Sequence, residues 1–122
     1  MKITRFEDIE AWKKARILMN RVYDLAGPGL ATDRDLQRQM RRAAASVMSN
    51  IAEGFDGGSD AEFRRFLRMA KRSATELQSH FYIASDRKFL AQKDFQELYD
   101  LAAEVQRVIG GFIRYLRNSP RS

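Results

Sequence analysis

The segment from Gln39 to Leu67, QMRRAAASVMSNIAEGFDGGSDAEFRRFL, constrains the fold more than any other part of the chain. Small and apolar residues recur in it at helical spacing, through Ala43, Ala44, Val47, Asn50 and Ile51, up to Gly54. Ser59 and Glu62 then make an S-x-x-E capping box, in which each side chain satisfies a backbone N–H left free by the first helical turn. Two helices joined by a glycine-rich turn around Phe55 to Gly58 are therefore predicted. The same segment holds two adjacent arginine pairs, Arg41-Arg42 and Arg64-Arg65, and no cluster of reactive side chains.

The flanking sequence continues the helical pattern. Thr4 with Glu7 predicts a first helix whose apolar face is Ile9, Trp12, Ala15, Met19, Val22, Tyr23 and Ala26, stopped by Gly27-Pro28-Gly29. Thr32 with Asp35 predicts the start of a second, carrying Leu36, Met40, Ala43, Val47 and Ile51 and ending at Gly54. The third carries Phe63, Phe66, Leu67, Ala70, Ala74, Leu77, Phe81 and Ala84, and the fourth ends before Asn118-Ser119-Pro120. No stretch alternates like a strand. The predicted helices cover about 5–26, 33–53, 60–88 and 92–117 of a single domain, residues 1–122. Short connections between long helices favour antiparallel neighbours, so an all-α, antiparallel up-down-up-down four-helix bundle is the simplest architecture.

The chain has no cysteine, which excludes disulfides, thiolate metal sites and cysteine nucleophiles. It lacks an apolar run of about 18 residues, and MKITRFEDIEAW has no apolar signal-peptide core, so a cytoplasmic protein with no membrane association is expected. Lysine and arginine number 22 against 16 acids, a net charge of +6 that favours anionic partners, nucleic acid above all.

At about 100° per residue, Arg64, Arg65, Arg68, Lys71 and Arg72 occupy the face of the third helix opposite its apolar arc. Arg34, Arg38, Arg41 and Arg42 gather likewise on the second. A hairpin turn would bring Arg41 and Arg42 level with Arg72 and Lys71, forming one basic surface. The alternative is a solvated face whose arginines pair with Asp35, Glu53, Glu62 and Glu76, with Arg42 and Glu76 suited to a structural pair. On the fourth helix the apolar residues from Phe95 to Leu116 spread over roughly 200°, so it either lies unusually central or packs against another subunit. Gly110-Gly111 inside it predicts close backbone approach, with a kink as the alternative.

Catalytic signatures are missing. His80 is the only histidine, which excludes multi-histidine metal sites, and Glu76 to His80 is not the Glu-x-x-His spacing of di-iron bundles. Gly54 to Ser59 is glycine-rich but lacks the lysine and the preceding strand of a phosphate loop. Asp56, Asp60 and Glu62 do not follow a calcium-loop pattern. Asn50 is read as a structural amide near a helix end, Trp12 as core and His80 as a partly exposed helix residue. No enzyme activity, metal or cofactor is predicted.

Arg42-Ala43-Ala44, Ser46-Val47 and Asn50-Ile51-Ala52-Glu53-Gly54 resemble the signature of the four helix bundle proteins, also called the 23S rRNA intervening-sequence protein family. The similarity extends through Phe6, Asp8, Ile9 and Trp12, and through Glu62-Phe63, Phe66-Leu67, Ala70, Ser73 and Glu76-Leu77. The resemblance implies a cytosolic bundle assembled as a homopentamer, with no established enzyme activity. A related group, the retroelement accessory variability proteins, implies engagement of nucleic acid and of a reverse transcriptase. Many relatives carry a basic residue just after Glu-Gly, where this chain has Phe55-Asp56; phosphate contact at that turn is expected to be weaker here. The leading expectation is non-specific RNA or DNA binding through Arg38, Arg41, Arg42, Arg64, Arg65, Arg68, Lys71 and Arg72. The alternative is a protein-interaction scaffold in which those arginines are structural and the partner is another protein.

Overall fold

The computed structural model describes residues 3–118. Among them are five α-helices and no strand: α1 Glu10–Tyr23, α2 Pro28–Thr32, α3 Arg34–Asp56, α4 Asp60–Asp86 and α5 Gln92–Arg117. The four long helices close on themselves, with α3 packed along α4, α4 along α5, and α1 against both α3 and α5. No described helix is long and apolar enough to cross a membrane.

The N-terminal segment departs from expectation. Residues Phe6–Asp8 form a 3-10 turn, and α1 begins only at Glu10, after Ile9, with no side-chain cap. Phe6 turns inward to meet the edge of Trp12, their ring centroids 5.2 Å apart, while Glu7 faces Arg5 instead of capping from Thr4. The buried stripe of α1 is Ala11, Ala15, Leu18 and Val22. Trp12 and Met19 flank it half-buried, and Tyr23 and Ala26 are exposed. Small residues at the centre let α1 approach α3 and α5 closely, which displaces the bulky rings to the margin.

Gly27-Pro28-Gly29 does more than end a helix. Proline fits the first position of a helix because its missing N–H would have no partner there, and Pro28 opens α2, which buries Leu30. The cap of α3 lies one residue beyond the expected threonine: Asp33 Oδ1 accepts from the N–H of Leu36 at 3.0 Å, while Thr32 donates to the carbonyl of Gly29.

Helix α3 runs through Gly54 to Asp56 rather than stopping at the glycine. A methyl group at Gly54 would lie 2.6 Å from Phe66 Cβ and 3.0 Å from Phe63 Cδ1. Gly54 is therefore a point of close approach between α3 and α4. The turn proper follows, with Gly58 at a φ of +94° that favours glycine. Ser59 then caps α4, accepting from the N–H of Glu62 at 3.1 Å.

The centre is alanine-rich between α3 and α4, where Ala43, Ala44, Ala70 and Ala74 are fully buried beside Val47, Ile51, Leu67 and Leu77. Asn50 adds a polar thread: its amide donates to the Ser46 carbonyl at 2.9 Å and to Ser46 Oγ at 3.0 Å. Ser46 Oγ in turn meets Ser73 Oγ of α4 at 2.9 Å. The amide thus reaches back one turn, away from the helix end where it was expected to act, and Ser46 carries the thread across to α4.

The wide apolar arc of α5 is absorbed largely within the chain. Leu98, Ala102, Val105, Ile109, Ile113 and Leu116 are buried, Leu101, Val108 and Phe112 pack half-buried beside them, and Tyr115 stays exposed. Gly110 and Gly111 meet no backbone other than their own helix: within 4 Å of a methyl at Gly110 lie only Arg114 Nη1 and Lys71 Nζ. The predicted close backbone approach is absent within the protomer.

Candidate nucleic-acid interface

The arginines on the outside of α3 and α4 divide by what neutralises them. Arg38 pairs with Asp35 at 3.0 Å, and Arg65 pairs with Glu62 at 2.5 Å while lying over the ring of Phe66. Arg42 bridges α3 to Glu76 of α4 and is steadied by Gln39 Oε1 at 3.1 Å, the structural pair that the sequence suggested. These three are solvent-exposed ion pairs, each contributing about 0–1 kcal/mol to stability.

Arg41 and Arg64 are held by other means. The Arg41 guanidinium lies 4.8 Å from the Tyr23 ring centroid and donates to the Tyr23 carbonyl at 3.4 Å. Arg64 donates to the carbonyl of Leu116 at 3.3 Å, satisfying an acceptor at the C-terminal end of α5. Arg68, Lys71 and Arg72 are exposed and have no ion pair among the described residues.

The cations also line two different grooves. Arg34, Arg38, Arg41 and Arg42 surround one beside Tyr23 and Gln37. Lys71 belongs to another, between α4 and α5, with Arg107 and Arg114. Arg107 and Arg114 were not singled out from the sequence. Their seven-residue spacing puts them on one face of α5, but only the placement of α4 beside them turns that spacing into a shared groove with Lys71.

Two acids of α5 are engaged elsewhere. Glu104 binds Lys14 of α1 at 2.5 Å, and Glu97 binds Arg21 at 3.2 Å, both on the α1 side of α5. Their mutual hydrogen bond, followed by charge attraction, holds Glu104 below and Lys14 above their ordinary ranges. Glu104's contribution is full above the ordinary glutamate range and is lost as pH falls through its lowered value. Lys14's is full below the ordinary lysine range and is lost as pH rises through its raised value. We therefore expect a bridge insensitive to pH from about 5 to about 10. Urea titrations of the parent and Glu104→Gln should run parallel in that window and converge below it.

The described residues contain no group of three histidine, cysteine or acidic side chains able to hold a metal. His80 is mostly covered, its Nε2 3.8 Å from Glu76 Oε2.

These features define an all-helical protein with basic grooves on its surface. The chain belongs to the 23S rRNA-intervening sequence protein family, whose sequence profile matches residues 7–111. A solved structure with a similar fold is a protein of unknown function from the S23 ribosomal protein family of Bacteroides thetaiotaomicron. It is 18% identical, with a TM-score of 0.77, and the match covers 85% of this chain and 98% of that one. Comparison with curated proteins finds no match.

Proposed function

We propose that the protein is a cytoplasmic, non-enzymatic helical-bundle protein that binds RNA or DNA non-specifically through its basic surface. The observation that carries this reading is the exposed trio Arg68, Lys71 and Arg72, which have no ion pair among the described residues in a chain of net charge +6. Desolvated phosphates offer such cations charge-assisted hydrogen bonds and release condensed counterions. Arg41 and Arg64, held by neutral carbonyls, contribute positive potential around them, whereas Arg38, Arg42 and Arg65 are already paired with carboxylates and contribute less. Filter binding of a generic RNA and a generic DNA over a salt series tests the proposal. Retention at low salt that weakens steeply with added salt supports it; no retention at low salt ends it.

The same reading takes the architecture as an antiparallel up-down-up-down four-helix bundle. Its support is the order of cross-helix pairs: Arg42 with Glu76, Ser46 with Ser73 and Phe55 with Phe63 ascend α3 while descending α4. Lys14 with Glu104 and Arg21 with Glu97 do the same for α1 and α5. Assembly as a homo-oligomer, a pentamer by family resemblance, would repeat the basic surface and convert modest local affinity into avidity. Light scattering is expected to give five times the mass of the 122-residue chain; a monomer mass rejects the assembly.

A second reading, a protein-interaction scaffold with structural arginines, draws on the pairs Arg42–Glu76, Arg38–Asp35 and Arg65–Glu62. It predicts that Arg42→Ala changes the oligomer mass and leaves nucleic-acid retention unchanged.

A further inference from the structure

We propose that the groove between α4 and α5, above Gly110, is a binding site for a phosphate group. Lys71 from α4 and Ala103, Gln106, Arg107, Gly110 and Arg114 from α5 line it, three cations with no carboxylate. A methyl at Gly110 would lie 3.7 Å from Arg114 Nη1 and 3.8 Å from Lys71 Nζ. The two charged heads therefore converge over the same backbone atom from opposite helices. Left alone they repel. A tetrahedral oxyanion between them replaces that repulsion with charge-assisted hydrogen bonds, from the point charge of lysine and the planar fork of arginine.

Two further observations point to an occupant from outside the chain. Glu104, one turn before Arg107 on α5, is taken by Lys14 at 2.5 Å, and Arg107 has no ion pair among the described residues. Glycine in the interior of a long helix is disfavoured relative to alanine, yet a methyl at the buried Gly110 would meet only the tips of Arg114 and Lys71, at ordinary contact distance. The backbone there lies covered beneath the two charged heads. One wall is held firm, since Gln106 donates to Thr75 Oγ1 at 2.8 Å and to Gln78 Oε1 at 3.0 Å.

The ligand chemistry is a phosphate group, borne by free phosphate or by the backbone of a nucleic acid. The site does not require the nucleic-acid reading above. Thermal unfolding of the full chain is measured in inorganic phosphate, in chloride at equal ionic strength, and with a short single-stranded oligonucleotide. Phosphate at ten times its Kd is expected to raise Tm by about 3–6 °C. The double variant Lys71→Gln/Arg114→Gln, which alters only exposed side chains, is expected to lose the shift. Gly110→Glu, which supplies a carboxylate of its own, is expected to respond to neither ligand, whereas Gly110→Ala should fold and serve as the control for backbone effects.

A shift with both ligands assigns the site to phosphate generally, and a shift with the oligonucleotide alone assigns it to phosphodiesters. No shift in the parent with either ligand overturns the proposal, as does a shift that the double variant retains. Arg68→Gln/Arg72→Gln separates the two readings. Loss of filter retention with the phosphate shift intact supports both, while retention unchanged with the shift intact overturns the Arg68 and Arg72 role alone.

Discussion

Gly54→Leu is expected to destabilise the protein by about 3 kcal/mol, lowering Tm by roughly 10 °C. Even the first carbon of the new side chain would meet Phe66 Cβ at 2.6 Å, and that atom is fixed to the backbone of α4. It cannot rotate away as a side-chain terminus could. The two helices must separate, which loosens contacts along the neighbouring seam of Ala43, Val47, Phe63 and Ala70. Gly54→Ala should show the same effect in smaller measure, because alanine's better helix propensity, about 1 kcal/mol, offsets part of the clash. Urea unfolding of both variants checks the ordering. A Gly54→Leu protein as stable as the parent would show that the contact of Gly54 with Phe66 does not limit how near these helices come.

Replacing Arg68, Lys71 and Arg72 together by alanine is expected to weaken non-specific nucleic-acid binding by on the order of 10²–10³-fold at 0.1 M salt. The estimate follows from counterion release. Three phosphate contacts contribute roughly 0.9 each to the slope of log affinity against log salt on a duplex, and that slope should fall by about 2.7. Because all three side chains are exposed and have no carboxylate partner among the described residues, the fold should tolerate their loss, and circular dichroism with thermal melting checks this. Removing Arg38, Arg42 and Arg65 instead should matter less, since each is already neutralised by Asp35, Glu76 or Glu62. Equal losses from the two triple variants would mean that pairing does not govern which arginines meet phosphate.

The long helices were legible in the sequence because their apolar residues recur with helical period and because the box at Ser59 and Glu62 has one obvious reading. Elsewhere the ambiguity lay between adjacent residues. Thr32 and Asp33 are both good caps, and only the backbone turn after Pro28 selects Asp33. Trp12 and Ala11 both border the same stripe, and the choice depends on how near α3 and α5 come. Gly54 is written like a helix stop, yet the tight contact with Phe66 explains it better than a change of backbone conformation. At five residues, α2 is too short to display a period.

The candidate surface was legible in part for a similar reason. Exposed cations on α4 follow from its own periodicity, and the Arg42–Glu76 pair from a hairpin drawn between two helices. The groove over Gly110 needed a third relation, α5 against α4, which no single-helix pattern contains. Its arginines were hidden within a helix dominated by apolar residues.

The hydrogen-bonded thread from Asn50 through Ser46 to Ser73 bears on how the hairpin can be aligned. Alanine faces slide past one another with little penalty, so away from the close fit of Gly54 against Phe66 the seam itself holds α4 only loosely in register. A slip by one turn would move the half-buried hydroxyl of Ser73 away from that of Ser46 and lose their hydrogen bond, at about 0.5–1.5 kcal/mol. Three modest polar side chains thus reinforce, midway along the hairpin, the alignment that Gly54 sets near the turn.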